Sequence, residues 1–236
     1  FLYSNGEVRD DYTARLQEKA DQWRDIRLLG QEEAIAQILR DEIDILVDLA
    51  GHTAGNRLTA FARKPAPVQI TFLGFPGSTG LAAMDYRITD VWAEPPGVSD
   101  QYFSEALLHL PRRLWCYRPA QHLPDVNVLP ALSKGHVNFG SFNAFSKVDA
   151  DTIALWSRVL RAVPHSRLTL AAVAEGSVHA AMMREFAVHG VSAEQLIALP
   201  KMAIDAFFEN LANIDIALDP IAVTGATTTC EVLWMG

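Results

Sequence analysis

The segment Gly225-Ala226-Thr227-Thr228-Thr229-Cys230-Glu231 gathers more groups able to do chemistry than any other stretch of the chain. It follows the apolar run Ile214 to Leu218 and the pair Asp219-Pro220, so a strand ends, a glycine turn follows and three threonines open a helix. The first turn of a helix offers free backbone N–H groups and a partial positive charge. Hydroxyls from Thr227 and Thr228 add donors, and the combination suits a diphosphate. Glu231 falls one turn into the helix, where its carboxylate could accept hydrogen bonds from a ribose diol. The same residues also satisfy a plainer reading, because threonine is a good N-cap and Glu can complete a capping arrangement.

Three other places carry candidate chemistry. Lys147 follows the strand and loop Phe139 to Ser146, where an ammonium could neutralise phosphate charge that grows as a nucleotide leaves. A solvated surface lysine would look the same. His52 lies on a glycine-bounded loop, residues 50–57, and could touch a sugar or an acceptor hydroxyl, or simply serve the turn. Gly51, Gly55, Gly74, Gly77 and Gly80 allow a ligand close backbone approach in loops 50–57 and 74–80. Asp149-Ala150-Asp151 has the form of an Asp-x-Asp metal motif, but it opens a helix, where Asp is expected as a cap. No metal site is expected. Cys230 reads as a small packing residue rather than a nucleophile.

The elements that must position these residues alternate between strand and helix. Residues 10–23 and 31–41 are helix-prone, and Ile43 to Leu49 is a β-branched strand ending at Gly51. Val68 to Leu73 is a second strand, and Met84 to Thr89 a third, short one. Residues 118–135 hold Pro119, Pro124 and Pro130 without periodicity and read as a linker. The rhythm then restarts. Strands at Val137 to Phe142, Arg167 to Ala172, Leu196 to Leu199 and Ile214 to Asp219 alternate with helices after Asp149, over 177–189, over 204–213 and from Thr227. In the helix after Asp149, residues Ile153, Trp156, Val159, Leu160 and Val163 follow helical spacing. Strands separated by helices imply parallel sheets, whose ligands sit at the strand C-termini, here in a cleft between two α/β halves.

Composition excludes other classes. The 236 residues are half apolar and a fifth charged, enough for a real core without staples. A formal charge of −8 with no basic run argues against nucleic acid as a partner. Two cysteines form no disulfide framework or zinc pair and suit a reducing, cytoplasmic setting. No apolar run is long enough for a membrane span. Both ends read as cut, since the chain opens on the strand-like Phe1-Leu2-Tyr3-Ser4 and stops at Gly236.

These segments together resemble the O-GlcNAc transferase family. The resemblance rests on Asp44 to Thr53, on Arg63-Lys64-Pro65-Ala66-Pro67-Val68-Gln69, on Leu73 to Gly80, on Met84-Asp85-Tyr86, on Phe142-Asn143 with Lys147, and on Thr227 to Glu231 with Leu233-Trp234-Met235-Gly236. These blocks run in order over nearly the whole chain. The resemblance implies an α/β chain of two Rossmann-like domains in a B-type glycosyltransferase fold, both incomplete. Residues 1–117 are the acceptor-side half lacking its start, 118–135 the linker, and 136–236 the nucleotide-sugar half lacking its end. It implies transfer of GlcNAc from UDP-GlcNAc to Ser or Thr of an acceptor protein, with inversion and without a metal or other cofactor. Lys147 would bind the diphosphate, Thr227 and Thr228 hold phosphate, Glu231 hold the ribose, and Leu73 and Gly74 line the sugar pocket.

Three positions depart from the family pattern. Phe207 stands where a His is usual, Ala144 where a Gln is, and Ala226 where a His is. They keep open a non-catalytic nucleotide-sugar-binding module and a GDP-fucose-dependent transferase on the same scaffold, with an epimerase of the same architecture as a third reading. The family's upstream active-site His and any tetratricopeptide repeats would lie outside these residues.

Overall fold

The computed structural model describes residues 1–119 and 123–236. Residues 120–122, inside the expected linker, lie outside the described residues. The chain divides into two compact units, Phe1–Cys116 and Tyr117–Gly236.

The first unit holds a short parallel pair and a four-stranded parallel sheet. Strand β1 (Leu2–Ser4) leads through helix α1 (Asp11–Lys19) to β2 (Trp23–Asp25), and the two strands pair in parallel. Helix α2 (Gln31–Arg40) precedes β3 (Ile45–Asp48), and the short α3 (Leu58–Phe61) precedes β4 (Val68–Thr71). Strands β5 (Tyr86–Asp90) and β6 (Ala106–Leu110) complete the order β3-β4-β5-β6, every pair parallel.

Local chemistry explains α2. Glu33 reaches back to the Gly30 amide at 2.8 Å, acidic residues occupy the first turn and Arg40 the last. Its apolar face buries Ala34, Ile35 and Ile38, and Ile38 packs with Leu46, Leu58, Phe61 and Met84. Asp41, just past the helix, accepts from Tyr3 and Arg24 at 2.8 Å each and ties α2 to β1 and β2.

The second unit runs from α4 (Ala131–Lys134) to β7 (Asn138–Ser141), α5 (Ala150–Ala162), β8 (Arg167–Leu170) and α6 (Ser177–Val188). It continues with β9 (Leu196–Ala198), α7 (Ile204–Leu211), β10 (Ile216–Ala217) and α8 (Thr227–Trp234). Its sheet is parallel in the order β10-β7-β8-β9. Ile153, Trp156 and Leu160 on α5 sit on one helical face and pack with Leu168, Leu170, Met182 and Phe186. Each such buried side chain contributes about 1.5–3 kcal/mol of transfer free energy. A second cluster joins Phe142, Phe208, Leu211 and Met235.

The strand order fixes where a ligand crevice opens. From β7 the chain moves one way to β8 and β9, then returns to place β10 on the other side. The loops leaving β7 and β10 therefore part at a topological switch point, the usual ligand crevice of an open parallel sheet.

Several elements differ from the sequence reading. The helix expected over 10–23 ends at Lys19, because Trp23–Asp25 extends to pair with β1. The third strand starts at Tyr86 rather than Met84, whose side chain is buried in the core while the Asp85 carboxylate binds the Gln69 amide. The expected strand Ile214 to Asp219 narrows to Ile216–Ala217, because the Ile214 amide is drawn back to the Leu211 carbonyl in a turn, while the Asp215 and Leu218 amides still bond β7 on either side. Within the proline-rich stretch, Ala131–Lys134 forms a helical turn whose first amide bonds Asp215. Strand β6 carries no alternation of polar and apolar residues and was not expected.

Candidate functional site

Two loops meet at the switch point of the second unit. The loop after β7 carries Asn143 and ends in a single 3-10 turn, Phe145–Lys147, before α5. The loop after β10 runs from Leu218 to Ala226 and opens α8. Lys147 Nζ donates to the Thr224 carbonyl at 3.1 Å, so the cation bridges the two loops. Asp219 accepts from Asn143 Nδ2 at 2.7 Å, from the Gly225 amide at 2.9 Å and from Thr229 Oγ1 at 3.1 Å.

Helix α8 begins at Thr227 with no side-chain cap. Its first amides face the crevice side of the sheet with a partial positive charge and no protein acceptor supplied by a cap. The Thr227 and Thr228 hydroxyls make no hydrogen bond among the described residues, whereas Thr229 is engaged by Asp219. The capping role considered for these threonines is thus unfilled. Gly225 is required by packing, since a Cβ there would meet Thr229 Oγ1, with Asn143 Oδ1 at 2.9 Å and Asp219 Oδ1 at 3.0 Å. Glu231 lies one turn further on, half-buried, and burial pushes its carboxyl pKa up. The structure thus brings Lys147, Thr227, Thr228 and Glu231 to one edge of one sheet.

The remaining predicted residues belong to the first unit, at the C-terminal ends of β3 and β4. His52 is exposed, its Nε2 3.2 Å from the Ser78 carbonyl and its ring edge-on to Phe75 at 5.2 Å. A carbonyl can only accept, so Nε2 is the donor in this contact. Leu73 has φ +65°, a left-handed conformation that costs a branched residue about 1–2 kcal/mol. Gly74 follows because a Cβ there would overlap the Leu49 carbonyl and the Ala50 amide. A strained, tightly packed turn therefore sits where Leu73 and Gly74 were expected to line a pocket.

Buried groups set the shape of both first-unit loops. Asp48 accepts from the Ala50 and Gly51 amides at 3.0 and 2.9 Å and from Thr71 Oγ1 at 3.0 Å. Arg87 donates to the carbonyls of Phe75, Pro76 and Gly77 and pairs with Glu94 at 3.2 Å, nearly excluded from solvent. Glu105 accepts from the Thr79 amide and hydroxyl and from Ser78 Oγ. Burial works against the Glu105 carboxylate, but those donors outweigh it and hold its pKa below the usual value. Asp149 caps α5 by accepting the Thr152 amide at 2.9 Å, which leaves Asp149-Ala150-Asp151 a helix start. Among the described residues no group of three His, Cys, Asp or Glu side chains could hold a metal ion, and no helix is long and apolar enough to cross a membrane.

Glycosyl transferase family 41 matches the chain over residues 5–130 and 125–236. The chain belongs to glycosyl transferase family 41. It is 38% identical over 242 residues to the Solanum lycopersicum protein named "Probable UDP-N-acetylglucosamine--peptide N-acetylglucosaminyltransferase SPINDLY", covering all of this chain and 26% of that protein. It is 32% identical to the Arabidopsis thaliana protein of the same printed activity named SEC, covering 96% of this chain and 24% of the relative. A solved point mutant of the Thermobaculum terrenum O-GlcNAc transferase superimposes with a TM-score of 0.90 at 38% identity, over 99% of this chain and 44% of that one. The chain thus spans about a quarter of the length of these curated relatives.

The B-type, two-Rossmann fold expected from the sequence is the fold of this family 41 chain. At the positions that depart from the family pattern, Phe207 packs edge-on against Phe142 at 5.3 Å and Phe208 at 5.2 Å. Ala144 leads into the turn that carries Lys147. The sequence reading gave no role to Asp219, Asp48, Arg87 or Glu105, which shape the loops around the candidate residues. A carboxylate directly after an apolar strand and ahead of a glycine loop was the available signal for Asp48 and Asp219. Arg87 and Glu105 act from neighbouring strands, and local spacing carries no trace of them.

Proposed function

We propose that this family 41 chain is part of an enzyme that transfers GlcNAc from UDP-GlcNAc to Ser or Thr hydroxyls of an acceptor protein. The carrying observation is the β7/β10 switch point, where Lys147, the uncapped start of α8 and Glu231 share one crevice edge. The names of the relatives, which specify a UDP-N-acetylglucosamine donor and a peptide acceptor, support the same reading.

In this reading the diphosphate sits on the first amides of α8, with the Thr227 and Thr228 hydroxyls as further donors and Glu231 on the ribose. The acceptor oxygen attacks the anomeric carbon from the face opposite the nucleotide, so configuration inverts as the bond to UDP breaks. The Lys147 ammonium and the helix amides stabilise the charge that develops on the leaving diphosphate. Leu73 and Gly74 line the sugar pocket, and His52 approaches the acceptor side. In this reading Lys147 and the helix amides offset that charge, and the chemistry calls on neither metal nor cofactor. The protein works in the cytoplasm on protein acceptors, without nucleic acid or membrane as partner.

The test is transfer of labelled GlcNAc from UDP-GlcNAc to acceptor peptides by the full-length protein, with GDP-fucose as competing donor. Label should appear on Ser or Thr only with UDP-GlcNAc. Transfer from GDP-fucose instead would replace the donor assignment, and tight UDP binding without any transfer would make the chain a binding module.

A further inference from the structure

We infer that Asp219 is a positioning residue that holds the diphosphate seat in its binding shape, an inference that rests on the function proposed above. Asp219 follows β10, whose backbone bonds to β7 end with the Leu218 amide on the Gly140 carbonyl at 2.7 Å, so beyond Leu218 the sheet no longer holds the loop. Its carboxylate joins three separate pieces of chain. Asn143 Nδ2 arrives from the loop after β7 at 2.7 Å, the Gly225 amide from the turn before α8 at 2.9 Å, and Thr229 Oγ1 from the first turn of α8 at 3.1 Å.

Each of those pieces carries a group assigned to the donor. Lys147 lies four residues beyond Asn143, and Thr227 and Thr228 lie between Gly225 and Thr229. The buried Asn143 side chain gives the arrangement an anchor in the protein interior. A second crosslink repeats the pattern, since the Ile221 amide donates to the buried Thr152 hydroxyl at 3.2 Å. A negative group beside a diphosphate site would repel its ligand if left bare. Here both carboxylate oxygens accept, Oδ1 from two donors and Oδ2 from one, so it shapes the seat without facing the phosphates unpaired.

Side-chain geometry supplies a conservative control. In Asp219→Asn, Oδ1 can still accept from Asn143 and Gly225, while Nδ2 donates to the Thr229 hydroxyl, which also accepts. Asp219→Ala deletes all three bonds. The exposed position of Asp219 makes both variants compatible with folding.

The experiment measures UDP affinity, donor and acceptor KM, thermal midpoint and amide exchange for the full-length protein and its Asp219→Ala, Asp219→Asn and Lys147→Ala variants. Asp219→Ala should weaken UDP binding and raise donor KM more than tenfold. It should speed exchange at residues 225–229 and leave acceptor KM unmoved. Asp219→Asn should stay within about threefold of the parent, as expected when geometry rather than charge is what Asp219 supplies. Parental UDP affinity in Asp219→Ala, beside a loss in Lys147→Ala, would overturn the inference and leave the proposed site intact. A more than tenfold loss of UDP affinity in Asp219→Asn would also overturn it, and that result stands even if the alanine variant fails to fold. Parental affinity in all three variants would sink the site itself.

Discussion

Lys147 Nζ donates to the carbonyl of Thr224, 77 residues along the chain, at 3.1 Å. The ammonium is therefore tethered to the loop that opens α8 while remaining open to solvent. A cation meant for a leaving diphosphate needs its amine held at the helix start before the ligand arrives.

Replacing Lys147 by Ala should lower kcat/KM for donor turnover on the order of a hundredfold to a thousandfold, the usual loss when one preorganised donor to a developing anion is removed. The thermal midpoint should barely change, because the bond lost is exposed. Undiminished turnover would return Lys147 to the class of solvated surface residues.

Gly225→Ala attacks the same seat through packing. Its new Cβ would be wedged among Thr229 Oγ1, Asn143 Oδ1 and Asp219 Oδ1. Thr229 Oγ1 and Asp219 Oδ1 already form hydrogen bonds, so the turn must open to admit a methyl group. Calorimetry should find UDP affinity down at least tenfold with the core transition preserved. Unaltered binding would show that the turn is free to relax and does not shape the ligand site.

The sequence made the alternation of strand and helix legible because helical spacing persists through α5, period-2 patterns through β4, β7 and β8, and a β-branched apolar run marks β3. Parallel pairing followed from the helices between the strands. Strands β2 and β6 were hidden for different reasons: β2 is three residues long behind a polar helix, and β6 reads Ala-Leu-Leu-His-Leu without alternation. The candidate site was half visible. Lys147, Thr227, Thr228 and Glu231 announce themselves by type and place, because each ends or begins an element. Asp219 and Asn143 lie 76 residues apart, and their contact depends on β10 crossing to the far side of β7, which no local pattern encodes.

Acid should loosen the first unit through Asp41. The Arg24 guanidinium, then Gln37 and Tyr3, hold its carboxyl down at about 2, below an ordinary value of 3.8. A depressed carboxyl pKa contributes stability that is fully present above the unfolded-state value and is lost as pH falls through the folded one. The window is therefore from about pH 3.8 down to about 2. Asp41→Asn should remove this acid-sensitive contribution, about 2 kcal/mol or less given the partly exposed Arg24, and flatten the profile. A variant whose stability falls as steeply as the parent over that window would show that other carboxylates govern acid unfolding.

Metal chelation should leave transfer unchanged. Asp149 is committed to the Thr152 amide, and among the described residues no trio of ligand side chains converges. Strong inhibition by EDTA, reversed by added Mn²⁺, would show that the substrate brings a cation the protein must accommodate.

Glu231 should change its protonation when nucleotide arrives. Without ligand its half-buried carboxyl has no hydrogen-bond donor among the described residues, and burial raises its pKa above 4.5. That sign makes the ionised form a burden on the folded protein above the unfolded-state pKa, relieved as pH falls and the group protonates. A ribose diol would supply two donors to the carboxylate and favour its charged form. Binding should therefore lower the Glu231 pKa and release a proton, and by linkage UDP affinity should increase as pH rises through the ligand-free pKa. Above that pKa the curve should flatten, because the carboxylate is already ionised. Glu231→Gln keeps the size, loses the charge and should bind UDP weakly with no such pH dependence. NMR of ¹³C-labelled glutamate, titrated with and without UDP, reads the site directly. A Glu231 titration that UDP leaves unmoved, with equal affinity in Glu231→Gln, would mean that the carboxylate never meets the ribose and that the nucleoside lies elsewhere along the crevice.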